Sequence, residues 1–158
     1  MNEQHGYDIE DLSIGMSASY GKTVTDADIV LFAGVSGDNN AVHTNQEFAA
    51  TTAFGGRIAH GLLSAGFISA ALGTRLPGPG TIYMGQQLNF RAPVRPGDTV
   101  NATLTVKSVD MKRARVVLDT VCRVGSTVVI DGEATVMVTS STRRAAKAQA
   151  ERPSESPR

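Results

Sequence analysis

The sequence predicts an α+β domain in which several antiparallel strands surround one buried helix. The segment 61–76 is apolar on nearly every side, which is typical of a helix enclosed by other elements. After a Pro–Gly stop, the chain from residue 81 onward falls into strand-like segments with turns between them. Runs of strands beside a segregated helix favour an α+β architecture. With 158 residues, the chain is long enough for one domain with a substantial core.

The first half of the chain predicts short elements. A strand is expected over 17–25. A helix follows it, because Thr25 is a suitable N-cap and acidic residues occupy the first turn after it. Glycines over 34–37 end this helix. A second short helix is predicted over 44–53, with Phe48 facing inward.

The second half predicts strands, most of which show apolar residues at alternate positions. Cys122 lies in one of them, where the alternation predicts a small buried hydrophobic residue. We expect 14–141 to form the domain, between a flexible leader over 1–13 and a disordered tail over 142–158 that has little to bury. The four strand segments are 81–91, 99–109, 115–124 and 127–139.

Composition and charge exclude several classes of function. Apolar residues make up 41% of the chain, and the formal net charge is zero, which indicates neither nucleic acid nor an anionic membrane as a partner. No apolar run approaches the ~20 residues that cross a bilayer, and the N-terminus lacks a signal-sequence pattern. The single cysteine excludes an intrachain disulfide. We therefore expect a cytoplasmic protein.

The stretch 36–43 carries the strongest chemical signal, because it places Asp38 and His43 five residues apart. In a helix this spacing would leave the two side chains roughly 140° apart around the axis. The glycine and asparagines around them favour an irregular, non-helical turn instead. Such a turn can bring a carboxylate and an imidazole to one point, which suits general acid–base chemistry on water. The alternative is that Asp38 braces the turn and His43 is only a polar neighbour.

Three stretches resemble the family of MaoC-like, (R)-specific enoyl-CoA hydratases. Residues 32–43 resemble its signature, in which Asp precedes x-Asn-Pro, an aliphatic residue and His. Residues 58–64 resemble its His-Gly turn and the following helix, and residues 89–98 resemble its strand–turn–strand. The similarity covers most of the chain, from about residue 14 to residue 138. Ala41 stands where the family usually has Pro, which loosens the turn.

The resemblance implies a hot-dog fold, in which a curved antiparallel sheet wraps the long helix, and a homodimer with active sites near its interface. It also implies addition of water across the C2=C3 bond of a trans-2-enoyl thioester, giving the (R)-3-hydroxyacyl thioester. Asp38 and His43 would hold and deprotonate the water and return a proton to C2. The acyl group would be carried by coenzyme A or by an acyl carrier protein. No metal or redox cofactor is implied.

Other residues around this pair have candidate roles, of which those of Gly61 and Ser69 are implied by the resemblance. The backbone N–H of Gly61 would stabilise the charge that develops on the thioester oxygen, unless the glycine serves turn geometry alone. Asn40 would support the turn, or simply occupy it. Ser69 would line the site, or bond back to a helix carbonyl. Leu72 would border the acyl pocket or pack in the hydrophobic core. His60 is interpreted as a residue that orients the turn or packs inside, with a catalytic imidazole as the alternative.

Other chemistries find less support in the sequence. It lacks His-Glu-x-x-His and paired cysteines, and its three histidines are widely separated, so no metal site is predicted. The segment 78–80 lacks the ending of a phosphate loop, and no serine has a Gly-x-Ser-x-Gly context. Two alternatives stay open on the same architecture. One is an acyl-CoA thioesterase, and the other is a non-catalytic subunit of a dehydratase that binds acyl thioesters.

Overall fold

One antiparallel sheet of five strands carries much of the chain. The computed structural model describes residues 5–151. All four strands predicted in the second half are present within a few residues of the expected bounds, as is the long helix. In chain order the elements are a 3₁₀ turn Ile9–Asp11, β1 Ser17–Thr23, α1 Asp26–Ser36, α2 Ala41–Thr44, α3 Gln46–Ala50, α4 Gly61–Thr74, β2 Ile82–Phe90, β3 Thr99–Asp110, β4 Arg115–Val124, β5 Thr127–Met137 and α5 Ser141–Ala150.

The sheet surrounds helix α4, as the sequence predicted. Its strand order is β1-β3-β4-β5-β2, so that β1 and β2 form the two edges. Helix α4 packs against β1, β2, β3 and β4. Full burial of one Leu, Ile or Val side chain contributes about 1.5–3 kcal/mol, so this helix–sheet interface holds the domain together. The interior side chains of β3 and β4 are at most 1% exposed and include Val100, Ala102, Leu104, Val106, Val116, Leu118 and Cys122.

Helix α4 has one exposed face, although its composition predicted burial on nearly every side. This outer face holds Leu62, Gly66, Ser69 and Gly73, and Leu62 is 59% exposed. The prediction was wrong because glycine and serine are small and only weakly polar, so a face made of them is hard to tell from a buried one. No helix within residues 5–151 is long and apolar enough to cross a membrane.

Two short helices, α2 and α3, replace the single one predicted over 44–53. Helix α2 begins already at Ala41. The side chains of Asn40 and Asn45 cap the two helices by accepting backbone N–H groups at 3.2 and 3.0 Å. Phe48 is 48% exposed, so the prediction that it faces inward was wrong.

The N-terminal segment packs onto the domain over its described part, where the sequence predicted a flexible leader. Ile9 is 1% exposed and belongs to the core. The Tyr7 N–H donates to the Pro77 carbonyl at 2.8 Å. The polar composition of the leader concealed the few apolar side chains that anchor it. Of the predicted leader 1–13, residues 1–4 lie outside the described chain.

The C-terminal segment begins as a helix, where the sequence predicted disorder over 142–158. Helix α5 starts after Ser140, whose hydroxyl oxygen accepts the Arg143 N–H at 3.2 Å. Low apolar content predicted disorder, but this cap and a sequence rich in alanine and arginine favour helix up to Ala150. Residues 152–158 lie outside the described chain, so the prediction stays open there.

Four side chains join the two ends of the domain, and we call them the terminal clamp: Asp8, Glu10, Ser140 and Arg144. The Arg144 guanidinium donates to both carboxylate oxygens of Asp8 at 2.7 and 2.6 Å. The Ser140 hydroxyl donates to the Glu10 carboxylate at 2.5 Å. The Arg144 hydrogen bonds lower the pKa of Asp8, and the Ser140 hydroxyl, with backbone N–H groups, lowers the pKa of Glu10 to about 2.

A β-bulge in β5 alters the sheet at one point. Cys122 pairs with Ile130 and Arg123 pairs with Val128, so Val129 has no partner on β4. Val129 and Ile130 are each 1% exposed. Two successive side chains are therefore buried where a regular strand would bury one. Strict alternation did not predict the burial of Val129.

Candidate active site

Helix α1 ends in a tight turn that presents Asp38. Gly37 caps the helix in the left-handed conformation, with φ of 79°, which glycine adopts without strain. The Asp38 N–H donates to the Ser36 hydroxyl at 3.1 Å. The carboxylate oxygen Oδ1 of Asp38 accepts the Asn40 N–H at 3.2 Å. These bonds fix an exposed carboxylate at the wall of a cavity.

His43 lies in α2, so the prediction of a wholly non-helical turn was wrong. The Asn40 cap starts a helical turn at Ala41, where the related family usually has proline. Asp38 precedes this helical turn, so the helix does not separate the two side chains. His43 is 8% exposed, and its Nδ1 lies 2.8 Å from the Ile58 carbonyl oxygen. Because a carbonyl only accepts, Nδ1 carries the proton, and Nε2 is bare in the neutral ring.

His60 joins the same group from the residue before α4. Its Nε2 lies 3.0 Å from the Asp38 carbonyl oxygen, so Nε2 is the donor. The ring centroids of His60 and His43 lie 3.9 Å apart with the planes tilted by 30°. The Phe32 ring packs on His60 with a centroid distance of 4.8 Å. His60 therefore contacts both predicted catalytic residues, and no local sequence pattern indicated these contacts.

We call Asp38, His43 and His60 the Asp–His cluster. One ligand-type atom from each lies within 4.8 Å of the others. The wide separation of the histidines in the sequence therefore does not exclude a metal site, since folding brings two of them together. Two imidazoles and a carboxylate form a donor set that a divalent metal can bind, and the same set can hold and deprotonate water.

Gly61 opens α4 directly beside this cluster. The first N–H groups of a helix have no intrahelical acceptor and lie at the positive end of its dipole. A Cβ atom at Gly61 would lie 2.5 Å from Cε1 of Phe90, too close for any other residue unless that ring moved. Close approach to Phe90, rather than an unusual φ, therefore explains the glycine. The geometry is compatible with an N–H that receives a developing negative charge.

A cavity of about 620 Å³ begins at the Asp–His cluster. Its walls are mainly apolar, which suits a hydrocarbon chain. Arg91 lies on its rim and donates to the Asp131 carboxylate at 2.7 and 3.1 Å. This hydrogen-bonded pair lowers the pKa of Asp131. The lining residues are Phe32, Ser36, Asp38, Phe54, Ile58, Ala59, His60, Gly61, Leu62, Ser64, Phe90, Arg91, Ala92, Pro93, Val94, Val129 and Ile130.

The predicted site residues divide into two groups. Asp38 and Gly61 line the cavity, and His43 packs against His60 with a ligand-type atom within 4.8 Å of that of Asp38. Asn40 supports the turn from outside the cavity lining. Ser69 lies on the exposed outer face of α4, and Leu72 is 1% exposed in the core. Within the described chain, neither Ser69 nor Leu72 lines the cavity.

Comparison with known proteins identifies the family. The sequence profile described as MaoC like domain matches residues 13–130. The chain belongs to the MaoC-like family. Over 129 residues it is 59% identical to the (R)-specific enoyl-CoA hydratase of Rhodospirillum rubrum, which covers 82% of this chain and 90% of that protein. It is 52% identical over 129 residues to the 3-hydroxybutyryl-CoA dehydratase of Methylorubrum extorquens, covering 82% of each.

Solved structures of related proteins have the fold of this MaoC-like chain. The unliganded R-hydratase PhaJ1 from Pseudomonas aeruginosa has a TM-score of 0.81 and 43% identity, covering 86% of this chain and 88% of that one. The (R)-hydratase from A. caviae involved in PHA biosynthesis has a TM-score of 0.79 and 38% identity, covering 82% of this chain and 98% of that one. The predicted family and the predicted hot-dog fold are both confirmed.

Several cavity residues of this MaoC-like chain were not predicted from the sequence. Phe32, Phe90 and Val129 line the cavity but belong to three separate elements. Phe32 was assigned to the apolar stripe of α1, and Val129 owes its position to the bulge in β5. The best available signal was Gly61, because a glycine at a helix start indicates that another group approaches closely.

Proposed function

We propose that this chain is an (R)-specific enoyl-CoA hydratase, which adds water across the double bond of a trans-2-enoyl-CoA. The observation that carries the proposal is the convergence of Asp38, His43 and His60 within 4.8 Å, beside the cavity that Gly61 borders. The predicted reaction class agrees with the names of relatives at 59% and 52% identity, one a hydratase and one a dehydratase. A hydro-lyase catalyses both directions of one reaction.

Asp38 and His43 would act on the water molecule. The Asp38 carboxylate accepts hydrogen bonds, and the bare Nε2 of a neutral His43 does so too. Together they hold one water and remove one of its protons while its oxygen bonds to C3. A proton then passes from this pair to C2, so that one water is added and the pair returns to its starting state.

His60 would be a positioning residue in this mechanism. It donates to the backbone carbonyl of Asp38 and stacks on the His43 ring, so it fixes one group relative to the other. Its own Nε2 is occupied by that bond. Correct relative placement of two reacting groups lowers the barrier of the reaction between them.

Gly61 would supply the donor for the thioester oxygen. Attack at C3 moves electrons toward the carbonyl and makes an enolate-like intermediate with negative charge on that oxygen. The backbone N–H at the start of α4 is pre-oriented and reinforced by the helix dipole. With this charge stabilised by backbone and the protons handled by side chains, we propose a reaction that needs no metal or redox cofactor.

The decisive experiment follows the loss of ultraviolet absorbance of the enoyl thioester in crotonyl-CoA. Wild type should consume the substrate and give the (R)-3-hydroxy product, and Asp38→Asn should not. Release of free thiol without loss of the double bond would instead identify a thioesterase. Binding of crotonyl-CoA with neither reaction would identify a non-catalytic subunit. A parallel assay with the crotonyl thioester of acyl carrier protein distinguishes the two carriers.

We also propose that the chain forms a homodimer through β2 and the outer face of α4. Strand β2 is a sheet edge, and Ile82 and Met84 on it are 54% and 45% exposed. An edge with unpaired backbone groups and apolar side chains favours pairing with a second copy. A partner bound there would also cover Leu62 and Ser69. Ser69 would then be buried at the interface between the two chains.

Light scattering tests the dimer. Wild type should have twice the 16.6 kDa mass of one chain. Met84→Lys, which places a charge on the β2 edge, should shift the protein toward the monomer. Met111→Lys is the matched control, because Met111 is 52% exposed in the turn between β3 and β4. Equal masses for wild type and both variants would contradict this interface.

The predicted location remains the cytoplasm. Cys122 is buried and has no cysteine partner in the sequence, which is compatible with a reducing compartment. Fractionation of cells that express the tagged protein would test this, and recovery outside the cytoplasmic fraction would contradict it.

A further inference from the structure

Two buried polar atoms at the Asp–His cluster have no hydrogen-bond partner within residues 5–151. They are Nδ1 of His60 and Oγ of Ser64. His60 is 2% exposed and Ser64 is 1% exposed, and both residues line the cavity. An unpartnered buried polar group destabilises the folded state, so two of them at one place in a mainly apolar wall require an explanation.

The two atoms are complementary in hydrogen-bond character. His60 uses Nε2 to donate to the Asp38 carbonyl, so in the neutral ring its Nδ1 is an acceptor. The Ser64 hydroxyl can donate as well as accept. A single group that both donates and accepts can therefore satisfy the two atoms at once.

The two residues lie close together in the chain at the start of one helix. His60 is the N-cap residue of α4, and Ser64 lies four positions later in its first turn. The two atoms do not bond to each other. One water molecule with two protein partners can satisfy such a pair.

We propose that His60 Nδ1 and Ser64 Oγ bind one ordered water in the cavity wall, and that this water makes the site selective for short enoyl chains. The inference rests on the proposed hydratase function. A short acyl chain leaves the water in place. A longer chain fills more of the cavity, displaces the water and covers the two polar atoms with hydrocarbon, which cannot replace the lost hydrogen bonds.

Ser64→Ala tests the inference through chain-length preference. The substitution removes the hydroxyl and is conservative in a helix. We measure kcat/KM for crotonyl-CoA and trans-2-octenoyl-CoA and compare their ratio between variants. Ser64→Ala should raise the ratio of kcat/KM for octenoyl-CoA to that for crotonyl-CoA by about tenfold. The reason is that a long chain then leaves no serine hydroxyl without a hydrogen-bond partner.

Thr74→Ala is the matched control. It removes a hydroxyl from the far end of the same helix, where Thr74 is exposed and its hydroxyl donates to the Ala70 carbonyl at 2.7 Å. Its ratio should equal that of wild type. Circular dichroism of each variant verifies that the fold is retained.

Two results would overturn the inference. One is an unchanged ratio in Ser64→Ala; if kcat/KM fell equally on both substrates, Ser64 would be a positioning residue without influence on chain length. The other is a high-resolution crystal structure of wild type with no density within hydrogen-bond distance of both atoms. Failure of the proposed function is distinguishable, because wild type would then hydrate neither substrate.

Discussion

The domain holds two polar clusters of opposite character. The Asp–His cluster lies at the start of helix α4, and the terminal clamp begins next to Tyr7, whose N–H donates to the Pro77 carbonyl in the loop after α4. In the clamp, the carboxylates of Asp8 and Glu10 accept hydrogen bonds from Arg144, Ser140 and nearby N–H groups. In the Asp–His cluster, two imidazoles and a carboxylate lie close together, and Nδ1 of His60 has no hydrogen-bond partner in the described part of the chain.

The comparison separates structural from functional polarity. A carboxylate that is already bound to donors holds two chain segments together and resists protonation, because its pKa is lowered. A polar group that the fold leaves unsatisfied has capacity left for a ligand or a proton. Four predictions sharpen this contrast, and they run from the largest expected effect to the smallest.

Asp38→Asn should produce the largest loss of activity. The amide keeps the size of the carboxylate but cannot accept a proton, so kcat for crotonyl-CoA hydration should fall by about 10²–10⁴-fold. Asp8→Asn in the terminal clamp is the control and should keep the wild-type rate. If Asp38→Asn retained most of the rate, Asp38 would not be the acid–base group.

Substitution of the two histidines of the cluster should lower kcat by different factors. His43→Asn removes a proton-transfer group and should lower kcat by about 10³-fold. His60→Asn removes a positioning contact and should cost at most about 10²-fold. Steady-state kinetics on crotonyl-CoA with both variants decides the order. A larger loss for His60→Asn would make His60 the chemical residue.

Glu10→Gln should weaken the clamp only where Glu10 is ionised. The pKa of Glu10 is about 2, below the roughly 4.3 of a free glutamate, so its stabilising effect is present above pH ~4.3 and disappears as pH falls through about 2. Urea unfolding followed by circular dichroism should show wild type more stable than the variant at pH 7. The two curves should converge near pH 2, and a gap that widened on acidification would contradict this assignment.

Removal of divalent metal ions by a chelator should not change the hydration rate. If the Asp–His cluster acts by proton transfer, prolonged dialysis against EDTA should leave the hydration rate unchanged. Loss of activity that zinc or another divalent ion restores would show instead that the cluster holds a metal.

The sequence predicted those parts of the molecule whose structure is locally encoded. Alternation of apolar residues placed β4 at its observed bounds, and Thr25 is the observed cap of α1. Asp38 and His43 could be predicted as a pair because they share one short segment. These features depend on neighbours within a few residues.

The features that the sequence did not predict depend on contacts between distant parts of the chain. His60 was expected to orient the turn or pack inside, which its burial and its bond to the Asp38 carbonyl agree with, but its partner lies 22 residues away and was not predicted. Ile9 is buried by elements that come much later in the chain. Val129 is buried because of a bulge, which breaks the alternation that predicts burial. The outer face of α4 was judged buried because small residues such as Gly66 carry almost no polarity signal. Tertiary contacts decided each of these cases.

The position of the terminal clamp has a practical consequence for handling the protein. Helix α4 has 14 residues and is therefore roughly 21 Å long, with the Asp–His cluster at its start. The clamp joins the segment around Asp8 to the first turns of α5, and none of its four residues lines the cavity. A fluorophore, a surface linker or a fused domain attached near either end would therefore leave the mouth of the cavity unobstructed.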